Sequence, residues 1–385
     1  MSDAPLRLFI VAGEESGDKL GGSLIKALRE RVKGDLEVMG VGGQAMAEEG
    51  LQSIFDMDEI AVMGVSAVIM RLPKILQRIH QTAKAVIAAK PDALIIIDSP
   101  DFTHRVARKA RAALPDLPVI DYICPSVWAW RSSRAQKMSH YIDHVLAILP
   151  FEPKVLKRLN GPDATYIGHP LAASSVDKNP KRTLPKRKSL LVLPGSRSGE
   201  VKRLLPVFKV AIQKLQQLRD DFDVTIPVVP HMDASIREAL KNWPMRVEIT
   251  SNVDQKKQVF EKASAALAAS GTVCLELALS NTPMIATYKL DPLMRMSRFM
   301  ITSWSVNLPN LIVDYPAVPE YYDEFLNPDT LCRLLNRLLD NTPERKTQLD
   351  AFDTLRHVMA CEEGGSASEK AADIVLQLAS RTSEL

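Results

Sequence analysis

Twice in this chain a short apolar run ends in a glycine turn and passes into an amphipathic stretch. The first run covers residues 6–12 (LRLFIVA), turns at 13–18 (GEESGD) and continues with apolar positions from Leu20 to Leu28. The second lies halfway along, in residues 189–201 (SLLVLPGSRSGEV), and continues with Leu204, Leu205, Phe208, Ile212 and Leu215. Each reads as a buried strand, a tight turn and a helix. A helix N-terminus offers free N–H groups and a partial positive charge, so it favours phosphate. Gly195 and Ser196 form the second turn, and Arg197 adds a planar fork of donors suited to phosphate oxygens. One such opening per half predicts two nucleotide-binding-like domains facing a cleft.

The rest of the pattern agrees with that frame. Residues 36–41, 93–98, 119–123 and 145–149 are apolar runs separated by helical patterns, and so are 190–193, 224–229, 247–250, 263–269 and 283–288. Continuous apolar strands alternating with helices predict α/β domains with parallel sheets covered on both faces. At 385 residues two domains are expected. The segment 179–188 (NPKRTLPKRK) carries two prolines and five basic residues without periodicity, and reads as the linker. It sets a first domain at 1–178 and a second at 189–354, with a helical segment 355–385 crossing back to the first.

Composition removes several classes. A net charge of +3 does not indicate a nucleic-acid binder. The N-terminal apolar run has no basic flank and is too short to span a bilayer. Cys124, Cys274, Cys332 and Cys361 have no CxxC spacing, so neither a zinc site nor a disulfide framework is expected, and no metal or cofactor is predicted.

Three turns at strand ends stand where open α/β sheets bind ligands. The turn at 13–18 lacks GxGxxG spacing, which disfavours an NAD-dependent oxidoreductase; its serine or aspartate can equally be a helix cap. The second turn is 98–101 (DSPD). A carboxylate at the end of a buried strand is poorly solvated and suited to base work, so Asp98 is the preferred general base, with Asp101 read as a cap. The third is Ser270, Gly271 and Thr272, with Glu276 one helical turn on, where a carboxylate suits the paired hydroxyls of a ribose.

Other segments leave two readings open. Trp128 and Trp130 would share one face of an extended loop, either as core packing or as a cleft wall with Arg131 near anionic groups. His169 is either structural or a ligand contact. Residues 60–78 hold Met63, Val68, Ile69 and Leu72 among Arg71, Lys74 and Arg78. They read as a buried helix pair broken at Gly64 and Pro73, or as an acyl-chain pocket or interfacial segment meeting anionic lipid. Residues 293–301 have the same basic and apolar character.

Together these residues resemble the lipid A disaccharide synthase family. The matching segments are 11–18 (VAGEESGD), 61–64 (AVMG), 98–102 (DSPDF), 125–131 (PSVWAWR), 149–152 (LPFE), 166–169 (YIGH), 193–197 (LPGSR), 269–272 (ASGT) with Glu276, and 305–310 (SVNLPN). They run in family order along nearly the whole chain. The resemblance implies a GT-B fold, two Rossmann-like domains with an interdomain cleft and a C-terminal helix returning to the first. It implies an inverting, metal-independent transfer from UDP-2,3-diacylglucosamine to the 6-hydroxyl of 2,3-diacylglucosamine 1-phosphate, giving a β-1,6-linked disaccharide phosphate and UDP. Carried over by position, Asp98 is the base. Glu14, Ser16, Arg197, Thr272, Glu276 and Asn310 surround the donor. The resemblance also implies a protein peripheral on the cytoplasmic face of the inner membrane of a Gram-negative bacterium, and allows a homodimer. The chain departs from the family pattern at Thr103, where asparagine is usual, at Ala67, where glutamate is common, and at Ala173, where aspartate is usual. The rival readings are a UDP-sugar 2-epimerase of the same architecture and a non-catalytic two-domain binding protein.

Overall fold

The computed structural model describes residues 5–60, 65–173, 183–291, 301–360 and 365–380, the side chains of 65–70, 173 and 253–255 excepted. The chain divides into two compact units: Met1–Pro170 with Cys361–Leu385, and Leu171–Ala360.

The first unit is built on a parallel sheet of seven strands. They are β1 (Leu6–Ala12), β2 (Leu36–Val41), β3 (Gln52–Ser53), β4 (Ala93–Ile97), β5 (Val119–Tyr122), β6 (His144–Ala147) and β7 (Asp163–Tyr166). Their order is β3-β2-β1-β4-β5-β6-β7. Successive side chains of a strand point to opposite faces, so a strand buried on both sides must be apolar throughout. β4 is apolar throughout, and β1 is so over its buried part, Leu8 to Ala12. Phe9, Val11, Leu94 and Ile96 join one core with Ile79, Val86, Val106 and Ala110. Leu8, Ile10, Ile95 and Ile97 join the opposite core with Leu24, Leu28, Ala371 and Val375.

The last two residues of that list come from the helix Ala367–Ser380, which lies along the helix Glu15–Arg31. Arg31 ties them through Asp373 at 2.8 Å and Glu369 at 3.3 Å. Where the sequence reading starts the returning segment at residue 355, the helix Pro343–Met359 runs through that position, and the division between units falls after Ala360.

The second unit has six parallel strands: β8 (Lys188–Leu193), β9 (Phe222–Pro227), β10 (Val247–Thr250), β11 (Ala265–Ala269), β12 (Met284–Tyr288) and β13 (Glu320–Tyr322). The order β10-β9-β8-β11-β12-β13 repeats the pattern of the first sheet. The helix Ser198–Leu218 buries Val201, Leu204, Leu205, Phe208, Ile212 and Leu215 against Leu190, Val192, Val224 and Leu267. Each of its large apolar side chains contributes about 1.5–3 kcal/mol.

Two expectations change. Residues 65–89 form one helix with Pro73 inside it, not a broken pair. Positions 71–74, 76 and 77 are exposed, so this stretch is not buried as the first of its two readings required. The edge strands β3, β7 and β13 carry no apolar run to announce them: they are short, β3 is exposed, and β7 and β13 are partly exposed, as edge strands often are. The linker residues 179–182, the segment 292–300, Met63 and Cys361 lie outside the described residues.

Candidate active site

In each sheet the strand order reverses between the first strand and its neighbour on the other side: between β1 and β4, and between β8 and β11. Helices following two such strands leave the sheet on opposite faces, which opens a crevice at the carboxyl ends. The four turns at these two switch points are the ones that carry the predicted chemistry.

At the first switch point β4 is followed directly by Asp98. Asp98 and Ser99 both adopt left-handed backbone, with φ of 55° and 46°. Such a pair costs on the order of 1–3 kcal/mol per residue and needs local support. The Ser99 N–H donates to Asp98 Oδ1 at 2.7 Å, and Thr103 Oγ1 donates to the Asp98 carbonyl at 2.7 Å. Thr103, where the resemblance leads one to expect asparagine, is thus a buried bracket of the loop. Ser16 Oγ donates to Asp98 Oδ2 at 3.3 Å, and Ser99 Oγ donates to Glu14 Oε1 at 3.3 Å. Glu14, Ser16 and Asp98 therefore form one partly exposed cluster. Asp18 turns away from it and caps another helix, Gln44–Glu48, accepting the N–H groups of Gly43, Ala45 and Met46 at 2.7, 2.8 and 3.1 Å. An open cavity of about 1010 Å³ adjoins Glu14 and Ser16, walled by Phe55, Asp56 and Asp58.

At the second switch point lies a cavity of about 480 Å³, within the range that takes a nucleotide-sized ligand. Gly195, Ser196 and Arg197 line it from the end of β8; Ser270, Gly271, Thr272 and Glu276 line it from the end of β11. Gly195 has φ of +112°. A β-carbon there would stand 2.4 Å from Glu200 Oε2. Glu200 is buried in the first turn of its helix, where it accepts the Ser196 N–H and the Arg197 guanidinium, each at 3.2 Å. Arg197 remains 65 % exposed, so its other donors face outward. The Ser270 hydroxyl is buried and has no partner among the described residues. No side chain stands at Gly271, and nothing lies within 4 Å of where its β-carbon would be.

The remaining candidates sit elsewhere. Asn310 does not line this cavity. It is buried, and its amide is spent on the Val318 backbone at 2.8 and 2.9 Å and on Glu320 at 2.7 Å. Trp128 and Trp130 do not share a face, because residues 126–130 form a tight turn rather than an extended loop. Trp128 packs edge-on against Phe151, with ring centroids 5.5 Å apart, while Trp130 is exposed with the Arg131 guanidinium 4.2 Å above its ring. His169 is buried, and burial lowers its pKa to about 4, so it is neutral at pH 7. Leu72 is exposed on its helix, and the side chains of Val68 and Ile69 fall outside the described ones.

The structure adds residues that the sequence reading missed. Glu200 is one; an acid three residues after the Arg197 turn is the signal that pointed to it. Lys256 is another. It lines the second cavity and pairs with Glu276 at 2.6 Å, and nothing local in the sequence links the two. Glu152, inside the LPFE segment, is fully buried. Burial pushes its carboxyl up to about 8 while Oε2 accepts the Leu149 N–H at 3.0 Å. Among the described residues no group of three or more His, Cys, Asp or Glu is arranged to hold a metal ion, and no helix is long and apolar enough to cross a membrane.

Residues 8–375 match the family model described as lipid-A-disaccharide synthetase. The lipid-A-disaccharide synthase of Nitrobacter winogradskyi is 48 % identical over 377 residues, covering 96 % of this chain and 95 % of the relative. That of Bradyrhizobium diazoefficiens is 43 % identical over 381 residues, covering 97 % of each. Among solved structures, the glycotransferase of kitacinnamycin superposes with a TM-score of 0.63 at 17 % identity, covering 97 % of this chain and 99 % of that one. The UDP-GlcNAc 2-epimerase of Methanocaldococcus jannaschii superposes with a TM-score of 0.60 at 14 % identity, covering 97 % and 100 %. At such identities these likenesses show the two-sheet GT-B fold and no more.

Proposed function

The chain belongs to the lipid-A-disaccharide synthase family and is a glycosyltransferase of lipid A disaccharide formation, and from that premise we propose how its two sites divide the reaction. The donor is UDP-2,3-diacylglucosamine and the acceptor 2,3-diacylglucosamine 1-phosphate. UDP occupies the cavity of the second unit. Its diphosphate lies on the Gly195–Arg197 turn at the start of the helix Ser198–Leu218, and its ribose diol donates to Glu276. The acceptor 6-hydroxyl lies against Asp98.

In the reaction Asp98 takes the hydroxyl proton as the oxygen attacks the anomeric carbon from the face opposite UDP. The bond from that carbon to the diphosphate oxygen breaks, and the charge left on UDP is met by the helix N-terminus and Arg197. Orientation of two bound substrates and stabilisation of the leaving group supply most of the rate. What supports this role is the setting of Asp98: the Ser99 N–H and Ser16 Oγ donate to its carboxylate, which stays partly exposed.

One observation carries the donor assignment. A turn at a helix N-terminus carrying Arg197 and the Glu276 carboxylate line a single cavity at a topological switch point. Calorimetric titration of UDP tests it, with ADP as the control. Saturable UDP binding that ADP does not match supports the reading; no UDP binding overturns it.

The acyl chains run along the helix Val65–Ala89 near Leu72 and Leu76, and the same helix meets the cytoplasmic face of the membrane. What supports this is the helix Val65–Ala89, where Leu72 and Leu76 are 43 % and 41 % exposed one turn apart, with Arg71 and Lys74 beside them.

A further inference from the structure

Glu276 is not alone in the donor cavity. The Lys256 ammonium stands 2.6 Å from its Oε2, and both side chains line the same space. They come from different helices, Val253–Lys262 and Thr272–Leu279, so the pair bridges two walls. The Lys256 ammonium also lies 5.3 Å from the centre of the Phe260 ring, one helical turn on, which limits where it can go.

A carboxylate offers about four lone-pair sites on two oxygens. Lys256 occupies Oε2 and leaves Oε1 for another donor. A free glutamate on a helix must give up rotamer freedom when a ligand fixes it. A glutamate already held by an ammonium has given up much of that freedom beforehand. Because the pair is partly exposed, with side chains 39 % and 25 % accessible, it adds little to folding stability. Its consequence falls on the ligand.

Resting on the donor reading above, we infer that Lys256 is a specificity-determining residue of the nucleotide site: it holds Glu276 so that the free carboxylate oxygen meets a ribose diol. It is a positioning residue, acting through Glu276 and not by contact with the reacting atoms. The ligand class it selects is a ribonucleotide over its 2′-deoxy counterpart.

The test measures the affinity of UDP and of 2′-deoxy-UDP for the wild-type chain, Lys256→Met and Lys256→Arg, by calorimetry, with thermal melting as a fold check. Lys256→Met is expected to melt within about two degrees of wild type. It should bind UDP about tenfold more weakly, the scale of one charge-assisted hydrogen bond, while its affinity for 2′-deoxy-UDP changes less than about twofold. Lys256→Arg should recover most of the discrimination. With the diacyl donor, KM should rise and kcat hold. Equal losses for both nucleotides would make Lys256 a plain counter-ion for phosphate and overturn the inference, as would an unchanged UDP affinity. A wild-type chain that fails to bind UDP overturns the donor reading itself and this inference with it.

Discussion

A β-carbon on Gly13 would stand 2.4 Å from the β-carbon of Ser99. The turn after β1 and the turn after β4 approach so closely that only glycine fits between them, and the approach is what lets Ser16 reach Asp98. Gly13→Ala should therefore act on the base, not only on stability. Overpacking of this kind costs about 1–3 kcal/mol, and a displacement of about 1 Å at a catalytic group can cost about 100-fold in turnover. Adding Ser99→Gly removes the clashing β-carbon and suits the left-handed backbone, so the double variant should regain part of the lost turnover. Melting and steady-state rates of the three variants check it; a double variant as slow as Gly13→Ala would show that the approach does not set the Asp98 position.

Asp98→Asn and Arg197→Ala should separate the two proposed roles. The first removes the base and should lower turnover by about 100-fold or more with UDP affinity nearly unchanged. The second removes a charged donor and should weaken UDP binding by about tenfold or more. Turnover near wild type in Asp98→Asn, or unchanged UDP affinity in Arg197→Ala, contradicts the respective role.

Glu152 gives a pH prediction. Its folded value of about 8 lies above the unfolded value of 4.5, because burial disfavours the charged form. Between those limits the folded state holds a proton that the unfolded state has lost. Stability contributed by this group is full below pH 4.5 and falls as pH rises toward 8, with a slope of up to about 1.4 kcal/mol per unit. Glu152→Gln is neutral throughout and lacks that slope. Its melting temperature relative to wild type should climb from pH 5 to pH 8. Buried His169 has the opposite slope between about 4 and 6.5, but it is common to both proteins and cancels in the difference. A difference that stays flat with pH would mean that Glu152 is ionised in the fold.

The exposed leucines predict how the chain meets lipid. Leu72→Ser with Leu76→Ser removes apolar surface from this helix while leaving the Asp98 cluster and the nucleotide cavity unaltered. Flotation with vesicles containing phosphatidylglycerol should show the double variant binding several-fold more weakly than wild type. Equal flotation of the two would remove this helix from the membrane surface.

The strands at both switch points were legible in the sequence because they are buried on two faces and are apolar along their buried length, whereas the strand order that makes them switch points was not. Residues 6–12, 93–97 and 190–193 announce themselves that way, and the turns after them follow. The edge strands were not legible, since a half-exposed strand such as β7 has no such requirement. The positions of Asp98 and Arg197 in turns, and of Glu276 one helical turn beyond another, were legible, and Arg197 and Glu276 line one cavity. What those side chains bond to was not. The pairing of Glu276 with Lys256 depends on how two helices pack, and the loss of Asn310 to Val318 and Glu320 depends on burial that no local pattern encodes. The two tryptophans were misread because alternation implies a shared face only in extended backbone, and residues 126–130 turn.

The central claim is that this chain transfers a diacylglucosaminyl group from UDP to a second diacyl sugar. The most direct measurement is UDP release from detergent-dispersed UDP-2,3-diacylglucosamine, with and without 2,3-diacylglucosamine 1-phosphate. The account predicts rapid release only when both are present, in step with disaccharide phosphate. Release that ignores the acceptor, or none with both substrates present, would contradict it.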